Sequence, residues 1–401
     1  MDFDIHYTAE QEAFRKEVKD WIAKNVPEKW KSPINMDDRT PEFFKFWREK
    51  HKELGAKGWL YPTYPKQYGG GGLTGDHEAI LQEEFNQARI PGHFTNGLIH
   101  GALMVWGTEE QKQKFLKPML LGQQSGWQKY TEPQSGTDLA NIQTTATKDG
   151  DEWVLNGSNQ FITGVERPNW LYGPAKTDPE APRHRNLGFF MIPFPHPGVE
   201  IVNQAMVNNG LQHFVYLHDA RIPADHLIGG ERQGWQVVNT VLEVEHGGRG
   251  AIFPRDDETD AMLDYMKEQK AKDQSPGTDP VLQQVAAAAY LDSHIYGLFQ
   301  MRNYSMYMAG TEMTYEGPNG GLFNRDYSLR NVARDRDVLG MYCLMGSTDP
   351  HTVHNAILEV YQRTTFQRMH GAGSRNIAKV IVARRIGISR TQERAAATAR
   401  V

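Results

Sequence analysis

Two glutamates and one polar run are the residues of this sequence best suited to chemistry. Glu243 and Glu245 lie in "TVLEVEH", a stretch with helical spacing. A carboxylate can take a proton from carbon when an apolar pocket favours its protonated form and the adjoining carbonyl is polarised. At about 100° per residue the two side chains point roughly 200° apart, so only one of them faces a given pocket. The alternative is that both are solvated, as most helix glutamates are. The run "QKYTEPQSGTD" carries Gln128, Tyr130 and Thr131 on an extended segment, then turns through Pro133 and Gly136 to present Thr137 and Asp138. These are hydrogen-bonding groups for a polar ligand; in isolation they are equally a strand and an ordered turn with a capping Asp. Further on, "GAG" at 371–373 is small enough for close backbone approach, or is a plain turn between helices.

Other constellations carry less. His351 and His354 have a loose metal spacing and no third ligand in view, so no metal is expected. Glycines 69 to 72 are not followed by Lys and Ser or Thr, which excludes a Walker-type phosphate loop and reads as a flexible turn. "ARRIGISR" reads as a solvated helix terminus. No Gly-x-Ser-x-Gly elbow occurs.

The elements that position these residues fall into three stretches. Thr8 opens a capping box with Gln11, and Phe14, Val18, Trp21 and Ile22 follow at helical spacing up to Pro27. Helices are expected over Phe43 to Gly55, Asp76 to Asn86, Thr95 to Trp106 and Glu109 to Leu121. From Trp127 the texture changes to "TTATK", "EWVLNG", "FITG", "NWLYG", "LGFFMIP", "GVEIV" and "HFVYLHDARIP", short β-branched and aromatic runs punctuated by Gly, Asp, Asn and Pro. After Gly234 the helical period returns, with Trp235, Val238, Val241 and Leu242 on one face. "KDQSPGT" (272–278) and "GPNGG" (317–321) read as loops between later helices. The expected boundaries are 1–125 helical, 126–233 β and 234–401 helical.

Hydrophobic content of 39% and charged content of 23% describe an ordinary globular chain. A net charge of -5 gives no reason to bind nucleic acid or an anionic membrane. Cys343 is the one cysteine, which excludes an internal disulfide and fits a reducing, cytoplasmic setting. The polar N-terminus lacks the pattern of a signal peptide, and no long apolar stretch occurs, so a soluble protein is expected.

Segment after segment, and in order, the chain resembles the acyl-CoA dehydrogenase family. "GWLYPTYPKQYGGGGLT", "GTEEQKQKFLKPMLLGQ", "YTEPQSGTDLANIQTTATKDGDEWVLNGSNQFITG" and "HDARIPADHLIGGERQGWQVV" are similar to its successive signatures. The resemblance is strong from about Gly58 to His246 and weak beyond. It implies an α+β, multidomain fold: an N-terminal helical domain, a middle β domain of orthogonal or barrel-like sheets, and a C-terminal helical bundle. It also implies FAD as cofactor and α,β-dehydrogenation of an acyl-CoA thioester to the trans-2-enoyl-CoA.

Carried over position by position, the resemblance implies that Tyr130 and Thr131 contact the pyrimidine end of the flavin, with Gln128 beside it. Thr137 stands where Ser is usual, near the FAD phosphate and the acyl-CoA. Phe161 replaces a common Trp packed on the flavin, Thr163 bonds toward N5 or the phosphate side, and Asn159 replaces a common Lys. The family places its catalytic Glu at one of two sites. The late site matches Ala372, which has no carboxylate; the helix site matches Glu245, with His246 in place of the usual Arg. Glu245 is therefore the implied base, and the backbone N–H of Ala372 or Gly373 the implied oxyanion donor. An occupied helix site resembles members acting on branched or bulky acyl chains.

The Arg and following Phe and Gly that hold the FAD of a neighbouring subunit are missing from "EQKAKDQSPGTDPVLQQVA". "DPVLQQVA" with "GPNGG" resembles a bacterial branch that handles steroid and other bulky acyl-CoA substrates, several members of which pair two different subunits. The implied partners are an acyl-CoA, an electron-transferring flavoprotein as acceptor, and either further copies in a homodimer or tetramer or a heteromeric subunit. An acyl-CoA oxidase and a non-catalytic subunit are the alternatives.

Overall fold

The computed structural model describes residues 7–31, 39–91, 98–164, 166–207, 212–246, 256–311, 313–369, 371 and 374–389, and the chain divides into two compact units, one over residues 5–245 and the other over 246–401 with the first four residues.

In the first unit the helices begin where the caps say they should. Thr8 and Gln11 form the expected capping box for α1 (Ala9–Asn25), and Thr40 accepts from the Phe43 N–H at the start of α2 (Pro41–Ala56). α3 spans Gly75–Gln87 and α4 Leu98–Trp106; the expected start of α4 at Thr95 lies outside the described residues. The single helix expected over Glu109 to Leu121 is instead α5 (Glu109–Gln111), a π-helical turn (Lys112–Leu116) and α6 (Lys117–Leu120). Pro118 has no N–H for the carbonyl four residues back, and the widened turn accommodates that loss. The glycine run at 69–72 is not a loose turn. A Cβ on Gly70 would lie 2.2 Å from the Tyr64 carbonyl oxygen and one on Gly71 2.3 Å from that of Gly58, so two backbones cross here at a spacing only glycine permits.

The seven expected β runs fall within one seven-stranded sheet, "EWVLNG" and "FITG" together in a single strand: β1 (Gly126–Gln128), β2 (Thr145–Asp149), β3 (Glu152–Thr163), β4 (Trp170–Lys176), β5 (Leu187–Pro193), β6 (Val199–Gln204) and β7 (Gln212–Pro223). β4 pairs antiparallel with β5 along its whole length, and parallel with β1 over Trp170–Tyr172 and with β2 at Lys176. Asn169 pins the β1 register. Its amide oxygen accepts from the Ser125 N–H at 2.9 Å, its own N–H bonds the Ser125 carbonyl at 3.0 Å, and the Trp170 indole N–H reaches Gln124 at 2.8 Å.

Alternation sorts side chains to two cores. Tyr172, Phe189 and Met191 join the helices in one; Trp127, Leu171, Phe190, Ile192, Val215 and Leu217 build the other. The continuous apolar run of β5 is thus explained by burial on both faces. α7 (Gly234–His246) follows the sheet and lays Val237, Val238 and Val241 into the first core.

The second unit is helical. α8 (Asp257–Ala271), α9 (Pro280–Met308), α10 (Glu316–Leu339), α11 (Ile357–Arg368) and α12 (Arg375–Arg385) pack with α10 against α9, α11 and α12. "KDQSPGT" separates α8 from α9 as expected, but "GPNGG" lies inside α10. Pro318 falls in the first turn, where its missing N–H costs nothing, and Glu316 turns back to accept from the Thr314 and Tyr315 N–H groups at 2.7 and 3.0 Å. The unit's interior holds a polar cluster: Asn331 donates to Thr259 at 2.9 Å, Thr259 and Tyr327 share a hydrogen bond of 2.6 Å, and Asp335 is buried near the Glu258 side chain.

Candidate functional site

The register of β1 on β4 builds the centre of the site in the first unit. Gln128 is paired with Tyr172, and the pairing continues one step further as the Lys129 N–H bonds the Tyr172 carbonyl at 2.9 Å. The strand expected to run through Thr131 therefore ends near Lys129. Gln128 and Tyr130, two residues apart, share one face with Tyr172 beside them. Lys129 points the other way and is wholly buried, its amine 3.4 Å from the Pro174 carbonyl, and burial pushes that amine down to about 8 despite the opposing pull of Glu132.

α7 completes this face. The Gln128 amide nitrogen donates to Glu245 Oε2 at 3.1 Å; Glu245 is half-buried and Glu243 exposed, as the 200° between them requires. α4 packs along α7 through a 3.0 Å bond from the Trp106 indole to the Thr240 hydroxyl, and a Cβ on Gly101 would come within 3.0 Å of Val244. The phenols of Tyr130 and Tyr172 are both buried without a hydrogen-bond partner. Burial first, then each other's proximity and the Glu245 charge, push Tyr130 well above the usual tyrosine value; burial, Glu245 and Tyr61 do the same to Tyr172.

Beyond Tyr130 the chain turns sharply. Glu132 is buried and takes the Thr144 N–H at 2.9 Å, while its backbone exchanges hydrogen bonds with Ser135. Thr131 is half-buried, Thr137 is exposed on the turn, and the Asp138 carboxylate pairs with Arg183 rather than capping the short helix that follows. The Gln160 N–H bonds the Thr131 carbonyl at 2.9 Å, and the buried Asn159 amide lies 3.4 Å from the carbonyls of Tyr130 and Thr131 with its own oxygen unpartnered.

Asn159 to Ile162 is also where β3 slips register against β7. Phe161 sits in this irregularity at φ +56°, a left-handed conformation costly for a bulky residue, and its ring is 47% exposed. An apolar ring thrown out of a sheet by a bulge is a surface for something flat. Thr163, also exposed, has a long 3.5 Å approach from Gln212. Just below, His213 stacks on Trp127 at 4.5 Å and bonds the Gly164 carbonyl at 2.8 Å, fixing the end of β3.

Of the residues singled out in the sequence, Gln128, Tyr130 and Glu245 come together in one constellation. Thr131, Phe161 and Thr163 lie at the adjoining ends of β1 and β3, and Thr137 at the turn tip. Ala372 and Gly373 lie outside the described residues. Tyr172 was missed; its place beside Gln128 depends on a strand register that "NWLYG" alone does not announce. Among the described residues no cluster of metal-ligating side chains occurs, and no helix is long and apolar enough to cross a membrane.

Comparison with known proteins agrees across the chain. It is 29% identical over 396 residues to the acyl-CoA dehydrogenase IpdE1 of Mycobacterium tuberculosis, covering 94% of this chain and 97% of that protein. It is 30% identical over 244 residues to FadE29 of the same organism, covering 60% of this chain and 62% of that one. The fold matches the structure titled Tcur3481-Tcur3483 steroid ACAD with a TM-score of 0.80 at 24% identity, over 98% of this chain and all of that one. It matches the ChsE4-ChsE5 complex from Mycobacterium tuberculosis at 0.79 and 23%, over 97% of this chain and 100% of that one. Residues 8–123 match the acyl-CoA dehydrogenase N-terminal domain and residues 128–215 its middle domain, together about half the chain. With the helical, sheet and helical order observed here, the chain belongs to the acyl-CoA dehydrogenase family, oxidoreductases acting on acyl-CoA.

Proposed function

We propose that this protein uses FAD to dehydrogenate a branched or bulky acyl-CoA between its α and β carbons, with Glu245 as the base. The observation that carries the reading is Glu245 itself: a half-buried carboxylate turned onto the same sheet face as Gln128, Tyr130 and Tyr172, while Glu243 faces solvent. The exposed Phe161 ring and the orphaned Asn159 amide oxygen fit a flat cofactor with polar edges. Around it, Tyr130 and Thr131 would hold the pyrimidine end, Thr163 the N5 or phosphate side, and Thr137 the phosphate and the thioester. An oxyanion donor at the backbone N–H of Ala372 or Gly373 stays an implication of the family resemblance, both residues lying outside the described ones.

When bound, FAD supplies the acceptor for the hydride that leaves the β carbon. The protein's part is to take the α proton at a Glu245 carboxylate oxygen and to keep water from it. The buried phenols of Tyr130 and Tyr172 stand near that carboxylate.

A structural neighbour named as a steroid ACAD, and the pairing of two differently named chains in both neighbours, support a bulky acyl group and a heteromeric partner; further copies of this chain in a homodimer or tetramer are the other assembly. We keep the division at 1–125, 126–233 and 234–401, an electron-transferring flavoprotein as acceptor, and a cytoplasmic setting. The test is anaerobic mixing of the FAD-loaded protein with straight, branched and ring-bearing acyl-CoA thioesters. Bleaching of the flavin by branched or ring-bearing thioesters is expected. A colourless protein that takes up no FAD would be a non-catalytic subunit, and peroxide formed in air during turnover would make it an oxidase.

A further inference from the structure

We infer that Gln128 is a positioning residue for the base: its amide holds one carboxylate oxygen of Glu245 and leaves the other to meet the substrate's α hydrogen. This rests on the reading of Glu245 as base, and it moves Gln128 from the flavin's edge to the proton transfer.

Three observations lead there. The 3.1 Å bond from Gln128 to Glu245 is the one hydrogen bond the carboxylate receives among the described residues. The Gln128 backbone is locked against Tyr172 by the β1–β4 register, and its amide oxygen is buried without a partner. The groups around the pair then decide what the bond does. They are Tyr130 beyond β1, Tyr172 on β4, Tyr61 behind Tyr172, and His100 of α4 standing edge-on to Tyr61 at 4.5 Å; Glu243 on the same helix turns to solvent.

Among the described residues, no lysine or arginine stands with them. A cation here would favour the ionised carboxylate so strongly that it would lose its appetite for a proton. A neutral amide adds no charge and fixes which carboxylate oxygen is free.

The experiment uses Gln128→Met, which keeps length and removes the donor, and Gln128→Glu, which places a second carboxylate against the first. Glu245→Gln is the reference. Each FAD-loaded variant is mixed anaerobically with the acyl-CoA thioester that bleaches the wild type fastest, from about pH 5 to about pH 9. FAD affinity is measured separately by fluorescence titration. For Gln128→Met the acid limb of the bleaching profile should move up by about one pH unit and the rate near neutrality fall about tenfold, with FAD affinity and KM within about twofold. Gln128→Glu should move the limb further, because the two carboxylates share a proton.

A Gln128→Met profile that overlays the wild type, or a loss that tracks weakened FAD binding, overturns the inference. If Glu245→Gln is inert while Gln128→Met keeps the wild-type profile, the base stands and only the positioning role falls. If Glu245→Gln bleaches like the wild type, both fall.

Discussion

The side chains of Gln128 and Glu245, 117 residues apart in sequence, meet in a 3.1 Å hydrogen bond between the end of β1 and the last turn of α7. Nothing local to either residue encodes this contact. It follows from Asn169 setting β1 on β4, and from three valines of α7 entering the core so that the helix shows Glu245, not Glu243, to the sheet.

That orientation separates two chemically identical changes. Glu245→Gln should lower the rate of flavin bleaching by at least about a thousandfold, the upper part of the range for a positioned general base. Glu243→Gln should stay within about twofold of the wild type, as a solvated surface change does. Stopped-flow bleaching and α-proton exchange read both; a larger loss in Glu243→Gln would move the base by two residues.

Phe161 sets stability against binding. In Phe161→Gly the left-handed backbone is no longer strained, so the unliganded protein should hold its stability or gain up to about 1 kcal/mol. FAD affinity should drop about tenfold with the lost ring. Thermal melting and FAD titration on one preparation separate the two effects, and unchanged FAD affinity would remove Phe161 from the flavin's surroundings.

Gly164→Ala would place a Cβ 2.0 Å from the Trp127 ring. Trp127 is held by its stack on His213 and has nowhere to retreat, so the substitution should cost about 1–3 kcal/mol in urea unfolding. Gly136→Ala is the contrasting change. Its Cβ would lie 3.8 Å from the nearest atom, and its cost should stay within about 0.5 kcal/mol.

In the second unit, burial holds the Asp335 carboxyl well above the usual carboxylate range. The folded protein then binds a proton more tightly than the unfolded chain. The stability this gives is complete below the unfolded value near 3.8 and is lost as pH rises toward about 7. Asp335→Asn should flatten that decline, measured as melting temperature across the interval. A slope as steep as the wild type's would mean that Glu258 carries the proton instead.

Local rules made much of this fold legible, and their failures have physical causes. Thr8 with Gln11 caps α1 because both bonding partners lie within one turn, and alternation in the strand runs survives because burial enforces it. "GPNGG" reads as a break by composition, yet Pro318 in a first turn and Gly320 facing Phe299 suit a helix start. Four glycines in a row look loose until the Tyr64 and Gly58 carbonyls are seen against them. At the candidate site, helical geometry says only that Glu243 and Glu245 face apart, and the choice of Glu245 came from the family resemblance. Tyr172, buried Lys129 and the Glu132 anchor depend on partners tens of residues distant or on a strand register, which no window of sequence contains.

The Asn169 clamp makes chain length before β4 a chemical variable. A strand that slips by one residue exchanges its faces. One residue inserted between Asn169 and Trp170 would send Leu171 toward α7 and turn the Tyr172 phenol into the opposite core, away from Gln128 and Glu245. Both cores would still receive an apolar or aromatic side chain. In relatives of this chain, an insertion or deletion in that segment would therefore change what surrounds the carboxylate as surely as a substitution there, while every residue of the site kept its identity.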